Sequence, residues 1–150
     1  METVVAIDPG SEKTGIAVVT APDCLREKQI VRTEDAADVV AALLTAYSVR
    51  VIVIGDGTRS ADHRQRLEAI PAVQSAAVRV VTVDEWHTTE MAVARYWRCR
   101  PPRGWRRWIP TGWQTPPVPV DDYAAWILAE KYFGKAAPEP LSYLRKEQYR

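Results

Sequence analysis

The sequence predicts one α/β domain, a mixed β-sheet with helices packed on it, and three observations carry that expectation. Short β-branched runs alternate with stretches of helical period in the order β-β-β-α-β-α-β-α. The run RVIVIG at 50–55 is apolar at alternate and intervening positions alike, as a strand buried on both faces must be. With 47% hydrophobic and 26% charged residues over 150 positions, the chain has globular composition and enough length to bury roughly 70% of its unfolded surface without a staple.

The first strand is TVVAI at 3–7, stopped by Pro9-Gly10, and the second is GIAVVT at 15–20 after the polar turn SEKT, so the two read as a hairpin. A weaker third strand covers 28–32. From Asp35 to Tyr47 the residues Val39, Val40, Leu43, Leu44 and Tyr47 recur at helical spacing, with Thr33 or Asp35 available as cap. The buried fourth strand ends in the turn GDGTRS, and a short helix is expected near 61–69. A fifth strand, RVVTV at 79–83, ends at DEWHTT, and a helix follows from about Thr89 to Trp97. The segment 98–119 is rich in Pro, Arg and Trp and too irregular for a helix or a central strand, so it reads as a long ordered loop. VDDYAAWILAEKYF at 120–133 is the last helix, with Asp121 and Asp122 in the first turn, where acids favour the helix dipole. Residues 135–150 form a weakly specified tail. No internal repeat or second boundary divides the chain, so 1–150 is read as a single domain.

The net charge of +1 conceals an uneven distribution. No Asp or Glu occurs between Met91 and Val120, whereas Arg95, Arg98, Arg100, Arg103, Arg106 and Arg107 all fall there. Cys24 and Cys99 have neither disulfide-framework nor zinc-site spacing. No basic leader followed by an apolar core opens the sequence and no window approaches 18 apolar residues. The expectation is a cytoplasmic protein with no membrane partner.

Asp8, Asp56, Asp84 with Glu85, and Asp121 with Asp122 each stand just past an apolar strand or at the start of the last helix. Each has an ordinary explanation: Asp before Pro-Gly and Asp between glycines are turn chemistry, and acids cap helices. Coincidence at four such ends is harder to explain this way. The carboxyl ends of parallel strands line one edge of an open α/β sheet, where ligands bind. Carboxylates converging there repel one another unless hard cations neutralise them, which suits Mg²⁺ or Mn²⁺. Two such ions can activate water and stabilise the leaving oxygen of a phosphodiester.

These residues also resemble a family. VVAIDPGSEKTGIAVV is similar to the opening strand-turn-strand of the YqgF (RuvX) branch of the RNase H-like superfamily, related to the junction resolvase RuvC. VIVIGDG, VDEWHTT and VDDYAAWILAEKYF follow in the order of that family's fourth strand, its fifth-strand motif and its last helix with D-x-x-A-A. The resemblance implies an RNase H-like sheet of order 3-2-1-4-5, metal-dependent cleavage of structured nucleic acid, and a role in maturing the 16S ribosomal RNA precursor. Carried over by motif, Asp8, Glu85 and Asp121 are the metal-binding acids. The fourth strand departs from the family pattern by ending GDGTRS rather than G-L-P. In the implied order that strand lies about 4.8 Å from the first and the fifth twice as far. Asp56 is therefore expected as a further ligand, with Asp122 supporting.

Trp97, Trp105, Trp108 and Trp113 interleave with the arginines, a composition suited to holding nucleic acid by guanidinium–phosphate pairs and base stacking. Tryptophan packed in a core is the competing explanation for each ring. The expected contacts are Arg95, Arg98, Arg100, Arg103, Trp105, Arg106, Arg107 and Trp108, with Lys13 in the turn beside Asp8. RNA is the favoured substrate. Two alternatives stay open: a Holliday-junction resolvase on branched DNA, which requires a symmetric homodimer to cut two strands, and a non-catalytic RNA-binding or assembly factor. An actin-like ATPase would also open with D-x-G but needs two such domains.

Overall fold

A computed structural model describes residues 1–134; the tail at 135–150 lies outside the described residues. Five strands, β1 (Thr3–Asp8), β2 (Lys13–Thr20), β3 (Cys24–Arg32), β4 (Val51–Gly55) and β5 (Arg79–Val83), form one sheet in the order β3-β2-β1-β4-β5. β1 pairs antiparallel with β2 and parallel with β4, β2 antiparallel with β3, and β4 parallel with β5. This is the mixed sheet that the residue pattern predicts, in the strand order that the resemblance implies. β3 begins at Cys24 rather than 28, because its half-buried positions pair with β2 along most of that strand, past a bulge at Val18/Val19.

The two faces of the sheet follow from the period of two along its strands. Val5 and Ile7, with Ile16, Val18, Ile52 and Ile54, face α1 (Ala36–Ala46), α2 (Ser60–Glu68) and the short α3 (Pro71–Gln74) through Val40, Leu43, Leu44, Leu67 and Ile70. Val4 and Ala6, with Ala17, Val19, Val51 and Val53, face α5 (Asp121–Tyr132) through Ala125, Leu128 and Ala129. The opposed pair Ala6 and Ala17 leaves room for a helix whose own contact face is largely alanine. α4 (Thr88–Cys99) packs on α5 instead of on the sheet, through Ala92, Tyr96, Trp97, Tyr123 and Ala124.

Three local expectations change. Neither Thr33 nor Asp35 caps α1 with its side chain; a 3-10 turn at Thr33–Asp35 leads into the helix. The Thr33 hydroxyl is buried against Thr14 at 2.8 Å and donates to the Gly10 carbonyl at 3.0 Å. The helix read near Thr89–Trp97 starts one residue earlier and ends two later. Within the irregular segment, Gly104–Trp108 and Thr111–Trp113 form 3-10 turns. No helix among the described residues is long and apolar enough to cross a membrane.

Gly15 is the tightest point between α5 and the sheet. A Cβ there would overlap the Asp121 backbone carbonyl, so only glycine lets the start of α5 rest on β2. Gly15→Ala is expected to destabilise the protein by about 2 kcal/mol or more in denaturant unfolding, and to remove activity with it, because the helix must lift Asp121 off the sheet. An unchanged midpoint would contradict this packing.

Candidate active site

β1 ends at Asp8, and the turn that follows is pinned from two sides. Buried His63 hydrogen-bonds the Gly10 carbonyl through Nε2 at 2.8 Å, and Thr33 donates to the same oxygen. Asp8 is directly opposite Gly15 in the β1–β2 register, and Gly15 is where the Asp121 backbone seats. On the other side of β1, Ile7 is level with Ile54 in the parallel β1–β4 pair, so the next residue of β4, Gly55, flanks Asp8. The Glu85 carboxylate lies against Gly55 and Gly57: a Cβ on Gly55 would overlap Glu85 Oε1, and one on Gly57 would overlap Oε2. Two missing side chains on β4 and its turn thus open a slot through which the acid beyond β5 reaches toward β1.

The electrostatics report the same convergence. Burial, then Glu85, then Asp121 push the Asp8 carboxyl up to about 7. Burial also raises Glu85, with Asp56 adding to it, while the Gly57 backbone hydrogen bond and Lys131 oppose the shift. Asp121 is raised by burial and by Asp122 and is lowered by Lys13. Acids of raised pKa gathered at one strand end are a mark of a functional site.

The donor chemistry fits a hard divalent ion. It consists of carboxylate oxygens alone, whose ionisation is disfavoured first by burial and then by one another's charge, and Glu85 Oε1 is buried without a hydrogen-bond partner. Among the described residues no three acidic, histidine or cysteine side chains are gathered closely enough to hold an ion as they stand.

Asp56 plays a different part from the one expected of it. Its side chain is exposed and accepts a hydrogen bond from the Glu85 backbone N–H at 3.0 Å, while its own N–H donates to the Val83 carbonyl at 3.0 Å. It is not among the groups that perturb Asp8. β4 does adjoin β1, but the Asp56 side chain is committed to the 84–85 backbone, so Asp56 positions Glu85. Asp122 is likewise corrected: its carboxylate pairs with Lys28 of β3 at 2.7 Å and caps the Tyr123 N–H at 3.0 Å.

Arg95 is the third correction. Facing inward from α4, it makes two hydrogen bonds to Glu130 of α5, at 2.9 and 2.8 Å, and its guanidinium lies 4.4 Å from the Trp126 ring centroid. Both side chains of this pair are about nine-tenths buried. The residue holds two helices together and is not a surface contact for nucleic acid. Arg95→Ala is expected to cost about 3 kcal/mol of stability, because Glu130 would be left charged and buried. The salt dependence of nucleic-acid binding should not move; a flatter dependence would return Arg95 to the interface.

The other basic residues named from the sequence lie at the surface. Lys13 is exposed at the start of β2, near enough to Asp121 to lower its pKa. Arg98, Arg100, Arg103, Arg106 and Arg107 are exposed, as are Trp105 and Trp108 at 70% and 77%. Arg106 lies over Trp105 and Arg107 over Trp108. Trp97, in contrast, belongs to the core between α4 and α5.

Two residues beside the site escape sequence reasoning. Lys131 on α5 donates to the Asp84 and Trp86 carbonyls at 3.0 and 2.7 Å and to Thr88 Oγ1 at 3.2 Å, which ties the Glu85 loop to the helix. Nothing in the helical pattern distinguishes that lysine. Trp86, next to Glu85, is 72% exposed and lies against His87, a left-handed residue at φ 59°. A tryptophan within D-E-W-H is a signal that could have been read as a stacking surface.

No protein-family profile and no curated protein sequence matches the chain. Solved structures do. The chain is similar to RuvC of Thermus thermophilus in complex with a Holliday junction substrate, at 18% identity and a TM-score of 0.53, over 89% of this chain and 94% of that one. It is similar to RuvC of the same organism in a separate structure, at 16% identity and a TM-score of 0.54, over 91% and 97%. The five-stranded sheet of order 3-2-1-4-5 with its flanking helices is therefore the RuvC-like version of the RNase H-like fold.

Proposed function

We propose that this protein is a divalent-metal-dependent nuclease that hydrolyses phosphodiester bonds in structured nucleic acid. The observation that carries the reading is the seating of Glu85 against Gly55 and of Asp121 against Gly15, the residues on either side of Asp8 at the carboxyl end of β1; the Asp8 carboxyl, raised to about 7 by burial and by those two acids, accords with it. In this reading those three carboxylates hold Mg²⁺ or Mn²⁺, as one or two ions; bound there, the metal would polarise the scissile phosphate and lower the pKa of water. The protein's own residues supply the setting. Gly55 and Gly57 admit Glu85, Asp56 and Lys131 fix its loop, Gly15 seats Asp121, and His63 and Thr33 hold the turn after Asp8. The exposed arginines of the 98–119 segment, with Lys13, bind phosphates.

The four motifs resembling the YqgF branch support RNA, and 16S ribosomal RNA precursor in particular, as substrate. A second reading, a homodimeric resolvase of branched DNA, draws on the likeness to a RuvC bound to a Holliday junction. Purified protein incubated with end-labelled precursor RNA and with a four-way DNA junction, each with Mg²⁺, Mn²⁺ or chelator, tests both. Metal-dependent cleavage of RNA is expected under the first reading and paired junction nicks under the second. Binding of either substrate without cleavage would overturn the nuclease and leave an RNA-binding or assembly factor.

A further inference from the structure

Between α4 and α5 the chain leaves three indoles in water: Trp105, Trp108 and Trp113 are 70%, 77% and 80% exposed. None packs against another aromatic ring among the described residues. Large apolar side chains exposed this densely mark a binding surface. Their backbone is nonetheless fixed. Gln114 Nε2 donates to the Arg106 carbonyl at 2.9 Å and to the Ile109 carbonyl at 3.0 Å, which staples the turn Thr111–Trp113 onto the turn Gly104–Trp108. In a 3-10 turn, side chains three residues apart eclipse, so Trp105 and Trp108 leave the same side of the chain with their roots about 6 Å apart along it. The Arg106 guanidinium lies 5.7 Å from the Trp105 ring centroid and that of Arg107 5.2 Å from the Trp108 centroid. Neither cation has a carboxylate partner among the described residues.

We propose that Trp105 and Trp108 form a preformed stacking platform for unpaired bases, by which this protein selects nucleic acid with unpaired nucleotides over a fully paired duplex. Resting on the reading that the chain binds nucleic acid, this names the class of substrate. Bases within a duplex are covered above and below by their neighbours and expose only their edges, whereas unpaired bases offer the flat π-face that an indole can stack on. The arginines over the two rings meet the phosphates of the same strand. Because the Gln114 staple holds the rings before a strand arrives, little ordering cost is left to binding. Gln114 itself touches no base in this arrangement and is a positioning residue. Seven residues separate Gln114 from Asp121, a span of at most about 25 Å, so a strand lying in the acidic site comes within reach of the platform.

Binding in chelator tests this. Fluorescence anisotropy is measured for the full-length protein with a short single strand, a blunt hairpin duplex, and the same duplex carrying an unpaired tail. The wild type should bind the single strand and the tailed duplex at least about tenfold more tightly than the blunt duplex. Trp105→Ala/Trp108→Ala should abolish that preference while leaving the blunt-duplex affinity and the melting temperature unchanged, and Trp105→Phe/Trp108→Phe should restore most of it. Gln114→Ala should weaken the preference without altering blunt-duplex binding. Equal binding of tailed and blunt duplex by the wild type, or a preference that survives the double alanine variant, would overturn the proposal. Binding to phosphatidylglycerol vesicles that the double alanine variant loses, with no strand preference beside it, would also overturn it and reassign the rings to a membrane surface. Cleavage without a strand preference sinks the platform alone, whereas a strand preference without cleavage sinks the nuclease reading alone.

Discussion

Asp8→Asn is expected to abolish metal-dependent cleavage while making the metal-free protein more stable above neutral pH. The loss of activity should exceed the roughly 100-fold that removal of an outer-sphere partner costs, since Asp8 is the acid on which burial, Glu85 and Asp121 all act. The gain in stability follows from linkage. The Asp8 carboxyl is near 7 in the folded protein against 3.8 ordinarily, so between those values the native state binds more proton than the unfolded chain. Stability therefore falls as pH rises from about 4 to 7, and above 7 the native protein bears a buried charge costing on the order of 4 kcal/mol. Asparagine removes that charge. In chelator at pH 8 the variant should melt several degrees above the wild type, and the advantage should disappear at pH 4. Added Mn²⁺ should raise the wild-type melting temperature by mass action and leave the variant nearly unmoved. An Asp8→Asn protein that cleaves, or that is less stable than wild type at pH 8 in chelator, would refute the assignment.

Glu85→Gln and Asp56→Asn should separate a metal-binding acid from a positioning one. Glu85 reaches the acidic centre between Gly55 and Gly57 and carries a buried oxygen with no partner, so its amide should lose more than about 100-fold in cleavage and weaken the metal dependence. Asp56 holds Glu85 through a backbone N–H. Its asparagine retains an acceptor oxygen and should retain most activity, whereas Asp56→Ala should lose about 10-fold. Rates measured across a Mn²⁺ titration provide the check. If Asp56→Asn is as damaging as Glu85→Gln, Asp56 is a direct ligand and the structural assignment of its role fails.

The strands β4 and β5, the last helix and the acids at element ends were legible from the sequence because local physics specifies them: period-two and period-3.6 burial, and chain breaks at Pro9-Gly10 and at Gly55 and Gly57. The resemblance carried by four ordered motifs supplied the strand order that the structure then bore out. Asp8, Glu85 and Asp121 could be named as a set from the motifs, but not their relative closeness. Which acid neighbours which depends on glycines whose meaning is tertiary. Gly15 matters only because Asp121 rests on it, and Gly55 only because Glu85 passes over it.

The same limit explains the corrections. Arg95 is one arginine among six in an acid-free stretch of sequence, yet it is the one that α4 turns toward Glu130, thirty-five residues away. Asp56 follows a strand adjacent to β1, yet its carboxylate is taken by the backbone of another loop. Asp122 is next to Asp121, but consecutive helical residues point about 100° apart, and Lys28 claims it. Sequence alone determined the five strands and the main helices, the acid-rich sheet edge and the basic segment, because periodicity, turn chemistry and composition are local; the short α3 and the start of β3 escaped it. Only the tertiary structure decided which charges meet, because an ion pair or a coupled pKa depends on a few ångströms of separation between residues that the chain leaves far apart.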